Sequence, residues 1–220
     1  MNLKPYKLIR SKRKTLALTV DEQARLVVRA PLKMSQKDIE AFIEKKAQWI
    51  ALRQRQVTED AARYQVFGLA EGQSILLFGE PHVVHQSNVT KIKVEDKLIQ
   101  VPQSTTLEGF TKWMRLKGKK TISARVSYYA ERMGLSYATV RVSNARRRWG
   151  SCGAKNTLNF SWRLVMCPPW VIDYVVVHEL CHITFKNHSS QFWQYVAKQM
   201  PHYKEARHWL KQNQKLMDVI

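Results

Sequence analysis

The sequence predicts an α+β protein, and three observations carry that prediction. Short stretches of alternating apolar and polar residues recur around 7–30, 74–101 and 139–164, the period of half-buried strands. Between and after them lie longer stretches with apolar residues three and four apart, the period of helices packed on a core. Of the 220 residues, 45% are hydrophobic and 10% aromatic, enough to bury that core and too many for a disordered chain.

In chain order, positions 7–30 read as two strands. Lys7 to Val20 alternates through Leu16, Leu18 and Val20, and Arg25 to Ala30 follows the polar turn Asp21-Glu22-Gln23. Ser35 with Asp38 three residues on has the form of a capping box. Ile39, Phe42, Ile43, Trp49 and Ile50 then carry a helix over 35–56. Val57 to Arg63 is polar and reads as a connection. From Tyr64 to Pro102 short strands return at 74–78, 82–85, 91–94 and 98–101, punctuated by Gly68, Gly72, Gly79 and Pro81.

A helical pattern covers Thr106 to Met133 and stops at Gly134, with Gly118 as an interior weakness. Thr139 to Val142 reads as a strand. So does Leu158 to Leu164, where Leu158, Phe160, Trp162 and Leu164 share one face and Asn159, Ser161 and Arg163 the other. Pro168-Pro169 ends it, and Pro169 suits the first turn of a helix running to about Phe185. Two more helices cover 189–199 and 201–217, parted at Pro201. A boundary near 104 separates a smaller β-rich N-terminal module (1–104, one helix near 35–56) from an α+β module (105–220).

Charge is unusual. Lys and Arg number 37 against 17 Asp and Glu, a net of +20, and such a surface attracts polyanions. No stretch approaches the ~18–20 apolar residues of a membrane-spanning helix. The basic start has no apolar segment behind it, so no secretory signal is read there. Cys152, Cys167 and Cys181 are an odd number without zinc-pair spacing, which disfavours a disulfide framework. The expectation is a soluble, cytoplasmic, basic globular protein.

The chemistry sits at His178-Glu179-Leu180-Cys181-His182, an HExxH pattern on the expected helix 169–185. Residues four apart share a helix face, so His178 and His182 present two imidazoles to one metal ion. Glu179 lies about 100° around the helix, placed to reach a water rather than the metal. A catalytic zinc site needs a third ligand and one open position. His188 is the candidate, six residues on and past a chain reversal at Lys186-Asn187, where Asn tolerates left-handed φ. Zn2+ would then lower the pKa of its water towards ~7 and polarise a carbonyl, with Glu179 as general base. His82, His85, His202 and His208 lack such a setting.

Several segments resemble the YgjP-like metallopeptidase family. They are Asn144 to Cys152 with its Arg146-Arg147-Arg148-Trp149-Gly150-Ser151-Cys152 core, Asn159 to Leu164, Tyr174 to His182, and Asn187-His188-Ser189-Ser190-Gln191-Phe192-Trp193. Arg13-Lys14-Thr15 and Val28-Arg29-Ala30-Pro31 also look like that family. The resemblance covers nearly the whole chain, most specifically its C-terminal half. It implies a minimal gluzincin-like zincin domain, a mixed sheet plus the HExxH active-site helix, related to the SprT-like and WLM groups. It also implies zinc ligands at His178, His182 and His188 with Glu179 as the catalytic carboxylate. Gly153 departs from the small polar residue family members often carry. Phe185 stands where the metzincin pattern of the same His spacing has glycine, so the turn to His188 must be made another way.

Other motifs have two readings. Arg146, Arg147 and Arg148 with Trp149 suit phosphate and base contacts. They suit equally a structural element, with Trp149 packed on the active-site helix and Ser151 and Cys152 in a turn. Asn159, Ser161 and Arg163 face either a substrate cleft, as a substrate-aligning strand would, or solvent. Cys181 reads as a small packed residue and Phe192 and Trp193 as core. Three functions follow. The first is a zinc peptidase acting on a peptide or protein. The second is a nucleic-acid-associated protein or protease of SprT-like type. The third is a metal-dependent nucleotide pyrophosphatase, which the lack of a Gly-rich phosphate loop and of a carboxylate cluster disfavours.

Overall fold

The computed structural model describes residues 6–21, 23–63 and 67–220. Residues 1–5 of the basic start, Glu22 of the first turn and Tyr64 lie outside them. The chain is α+β, as expected, and divides into two compact units, 1–65 and 66–220.

The first unit has three strands, not two: β1 (Lys7–Ser11), β2 (Ala17–Val20) and β3 (Leu26–Pro31). The basic run at 12–14 separates β1 from β2. Their order is β1-β3-β2, with β3 parallel to β1 and antiparallel to β2. Central β3 is the most apolar and the most buried. Asp21 closes the turn before it, its carboxylate accepting from the Gln23 and Arg25 backbone N–H groups.

Ser35 caps helix α1 (Gln36–Lys45), its hydroxyl accepting from Asp38 N–H. Ile39 and Ile43 turn inward beside Leu26, Val28, Ala30 and Ile50. The helix expected over 35–56 is broken at Lys46, and α2 (Ala47–Arg63) continues through the expected connection. Buried Val57, two turns after Ile50, and the Arg55–Glu59 pair (2.7 Å) one turn apart give that polar segment a reason to stay helical.

The second unit opens with strands β4 (Ser74–Leu77), β5 (Glu80–Ser87), β6 (Lys93–Glu95) and β7 (Leu98–Pro102), ordered β4-β5-β7-β6. This sheet belongs with the C-terminal residues, so the structural division falls at 65/66 and not near 104. Phe67 N–H bonds the Val219 carbonyl, and its ring lies 5.1 Å from Phe110. Phe78 and Gly79 N–H groups bond the carbonyls of Val165 and Met166.

Helix α3 (Leu107–Met133) follows, capped by Thr106 and by left-handed Gly134. A second sheet then forms from β8 (Thr139–Ser143), β9 (Gly150–Cys152) and β10 (Thr157–Ser161), in the order β8-β10-β9. β9 occupies residues expected to form a turn. The strand expected to reach Leu164 stops at Ser161, and Trp162–Met166 coils into a 3-10 segment with every side chain buried. Helices α4 (Pro169–Thr184), α5 (Ser190–Gln199) and α6 (Tyr203–Gln212) complete the unit. The helix expected over 201–217 thus ends at Gln212, and a second 3-10 segment (Gln214–Asp218) follows.

Two contacts place α4. Arg125 on α3 grips Asp173 with both arms (2.5 and 2.8 Å), and Tyr129 donates to the same carboxylate. Gly118 explains why a glycine sits within an unbroken helix. A Cβ there would lie 2.9 Å from the Trp162 carbonyl oxygen and 3.5 Å from Val165, so only glycine lets α3 approach the buried 3-10 segment. Ala at position 118 gains about 1 kcal/mol of helix propensity yet forces the two apart. Gly118→Ala is therefore expected to lower stability by about 1–3 kcal/mol, read as a lower urea midpoint at unchanged slope; an unchanged or higher midpoint would refute the close-packing account.

Candidate metal centre

Helix α4 is apolar almost all round, and Val175, Val176, Val177, Leu180 and Cys181 are buried. A helix in such surroundings holds its side chains rigidly. His178 and His182 lie one turn apart on one face, ring centroids 4.9 Å from each other. The turn to His188 is made without glycine. Phe185 is extended (φ −120°, ψ 106°), its N–H bonds the Cys181 carbonyl, and its own carbonyl lies 2.9 Å from His182 Nδ1. No residue from 185 to 188 has positive φ, so Asn187 does not use the left-handed conformation expected of it. Ser189 then caps α5, accepting from Phe192 N–H.

The result brings His188 Nε2 to 3.1 Å from His178 Nε2. One ring nitrogen from each of His178, His182 and His188 lies within 4.8 Å of the others. Two of the opposite nitrogens have outer partners. His182 Nδ1 meets the Phe185 carbonyl and His178 Nδ1 faces the Tyr174 hydroxyl at 3.5 Å, which orients each ring with Nε2 inward. Buried Phe192 packs on all three imidazoles, stacked on His182 at 4.6 Å. Trp193, expected as core, is instead half-buried at the rim. It stacks on His188 (5.6 Å) and Tyr203 (5.4 Å), with the Arg207 guanidinium 5.0 Å from its ring.

Burial, then the neighbouring His182 and His188, lowers the His178 pKa to about 3, and burial also lowers that of His188. Neutral imidazoles with inward lone pairs are the form in which histidine binds a metal. Glu179 is 5% exposed, and burial raises its pKa to about 8 against the opposing charge of Arg148. The carboxylate packs against β9, where a Cβ on Gly150 would stand 2.6 Å from Glu179 Oε1. Cys181 is buried with its thiol pKa raised to about 12, a packed thiol as expected.

The other candidate residues disperse. β10 is the central strand of its sheet, so Asn159 lies between Arg141 and Ser151, and β9 is the edge strand beside α4. Ser161 is buried and donates to the Ala145 carbonyl. Arg163, 1% exposed, bonds Asn144 Oδ1 (2.7 Å) and the Ile220 carbonyl, and burial lowers its pKa to about 10. Neither can meet a substrate, because the strand coils inward after Ser161. Arg146, Arg147 and Arg148 are exposed, Arg146 donating to the Ile220 carbonyl, while Trp149 is buried and its carbonyl accepts from Ser161 N–H. His82, His85, His202 and His208 join no ligand cluster among the described residues. Sequence reasoning missed Gly150, Tyr174, Tyr203 and Arg207. Only Tyr174, four residues before His178, had a helical-spacing signal.

Three imidazoles converging beside a buried glutamate, two of them on a helix packed against the β9 edge of a short mixed sheet, fit a metal-dependent peptidase of the small zincin-like kind. The model of the YgjP-like metallopeptidase domain matches residues 14–213, and the chain belongs to that family. The crystal structure of the metallopeptidase zymogen of Pyrococcus abyssi abylysin is similar at a TM-score of 0.38 and 20% identity, over 41% of this chain and 93% of that one. No curated protein matches. No helix among the described residues is long and apolar enough to cross a membrane.

The Gly150–Glu179 contact generates a direct expectation. In Gly150→Ala the added methyl must displace the carboxylate, and a misplacement near 1 Å costs on the order of 10²-fold in rate. Peptide hydrolysis is expected to fall by that order with bound metal unchanged; full activity would show that Glu179 tolerates being moved.

Proposed function

We propose that this metallopeptidase is a zinc enzyme in which His178, His182 and His188 hold the ion and Glu179 is the general base for peptide-bond hydrolysis. The convergence of three inward imidazole nitrogens beside a buried carboxylate carries the reading. Three imidazole nitrogen donors, with the Cys181 thiol kept protonated by burial, fit Zn2+. A zinc ion bound there supplies Lewis acidity, polarising a carbonyl and bringing the pKa of water towards ~7.

The chain's own groups do the rest. Tyr174 and the Phe185 carbonyl fix the imidazole orientations from behind. Glu179, pressed against Gly150, has little freedom to rotate away, which favours proton transfer over direct ligation. Glu179, whose pKa burial raises, would be available as a base near neutral pH with a cation held by the histidines. Its oxygen accepts the proton of the attacking water and passes it to the leaving amine. β9, paired on only one side among the described residues, offers the edge along which an extended peptide would lie.

Metal content and hydrolysis of an unstructured protein such as casein test this together. Wild type is expected to hold one zinc per chain. Glu179→Gln is expected to keep the zinc and lose about 10²- to 10⁴-fold in kcat. His188→Ala is expected to lose zinc affinity by more than the roughly 10–100-fold typical of an outer-sphere partner. A Glu179→Gln protein of wild-type activity would sink the assigned base, and a His188→Ala protein with wild-type affinity would sink the assigned ligand set.

A further inference from the structure

A second surface of the 66–220 unit, on α3 and β8, has features that the metal centre does not use. Leu107, Glu108, Thr111, Lys112, Arg115, Leu116 and Lys119 of α3, with Val142 of β8, line an open cavity of about 720 Å3. The α3 residues recur at three- and four-residue spacing, so they form one continuous face. The thirteen residues from Leu107 to Lys119 make that face about 18 Å long, the reach of five or six extended residues.

Its chemistry is mixed in a particular way. Its apolar part is Leu107, Leu116 and Val142, and Leu116 and Leu107 are 60% and 41% exposed, much for leucines that a folded chain is free to bury. Lys112, Arg115 and Lys119 stand exposed along it and form no ion pair among the described residues. Glu108 is the one acid, at the end where α3 begins.

We propose that this groove is a docking site for an acidic, leucine-rich polypeptide segment, whose aliphatic side chains meet Leu107, Leu116 and Val142 while its carboxylates meet Lys112, Arg115 and Lys119. Charge complementarity selects an anionic partner, and the apolar floor selects a polypeptide over nucleic acid. A nucleic acid brings a charge on every unit and no aliphatic side chain, so both leucines would stay wet. Binding of single strands relies on aromatic stacking platforms, and no aromatic residue lines this cavity. The site needs no metal and no base, so it stands independently of the zinc reading.

The test is fluorescence anisotropy on the full-length Glu179→Gln chain with an end-labelled eight-residue peptide alternating glutamate and leucine. The peptide is expected to bind, more weakly as salt rises, and a glutamate–serine peptide to bind at least about fivefold less tightly. Lys112→Glu with Lys119→Glu is expected to weaken binding about tenfold or more. Lys91→Glu with Lys93→Glu makes the same charge change on exposed residues elsewhere and is expected to alter it less than about twofold. Leu116→Ser, also exposed and safe for folding, is expected to cost about fivefold. The proposal is overturned if no peptide binds at low salt, if both charge pairs weaken binding equally, or if the glutamate–serine peptide binds as well. It is likewise overturned if a single-stranded oligonucleotide of equal charge binds more tightly than the peptide and responds to the groove substitutions.

Discussion

The five residues Trp162–Met166 are the constraint on which the catalytic unit is built. They are buried end to end, and α3, the turn between β4 and β5, and Asn144 pack on or bond to them. α3 reaches them only because residue 118 is glycine. The β4-β5-β7-β6 sheet is fastened to their carbonyls through Phe78 and Gly79. Asn144, leading out of β8, accepts from both the Trp162 indole and the Arg163 guanidinium. Arg163 is the costly member: a buried cation whose guanidinium bonds Asn144 Oδ1 and the Ile220 oxygen, with the charge of Asp218 favouring its ionised form and burial opposing it. Breaking such an arrangement from one side leaves the charge uncompensated, so these contacts are mutually dependent rather than additive. The segment also delivers the chain into α4 through Cys167 and Pro168, which converts its rigidity into a fixed origin for the metal-binding helix.

The centre inherits that rigidity and adds an electrostatic one. Burial disfavours charge on His178 and on Glu179 alike, so in the absence of a cation both drift towards their neutral forms. Nε2 of His178 and Nε2 of His188 then face each other at 3.1 Å, and one ring nitrogen from each of the three imidazoles lies within 4.8 Å of the others. A cation answers both problems, because it accepts the lone pairs and favours the ionised carboxylate. Phe192 forms an apolar floor beneath all three imidazoles.

Much of this was legible in the sequence, for identifiable reasons. His178 and His182 share a face because a helix repeats every 3.6 residues, and a long apolar run leaves little doubt about that helix. Ser35, Thr106, Gly134 and Pro169 announced helix ends through local backbone chemistry, which depends on near neighbours alone. What stayed hidden was set at long range. The alternation from Leu158 to Leu164 is a sound strand pattern, yet Arg163 turns inward because Asn144 and Ile220, 19 and 57 residues away, receive it. The three residues of β9 are too few for a period and become a strand only by pairing with β10. Gly150 looks like any loop glycine until Glu179 is packed on it. The division at 65/66 was missed because composition places the strands at 74–102 with the earlier ones, whereas Phe67, Phe78 and Gly79 tie them to residues more than 85 positions further on or to Phe110.

These two kinds of contact imply different tolerances across one domain. At Gly118 and Gly150 a single added carbon would stand within 3 Å of a carbonyl or a carboxylate, and close-packed interiors answer such an intrusion by shifting whole elements. On the face of α3 that looks outward, Lys112, Arg115 and Lys119 form no ion pair among the described residues, and Leu107 and Leu116 touch solvent. Substitution there changes what the surface attracts without moving the backbone, whereas substitution at the glycines moves the chemistry without changing any reacting group. The same helix therefore serves the rigid centre with its inner side at Gly118 and Arg125, and remains open to change on its outer side at Lys112, Leu116 and Lys119. A single element can hold a metal site in place and still present an independently variable recognition surface, because the two sides are governed by different physics, steric exclusion on one and screened charge with modest apolar burial on the other.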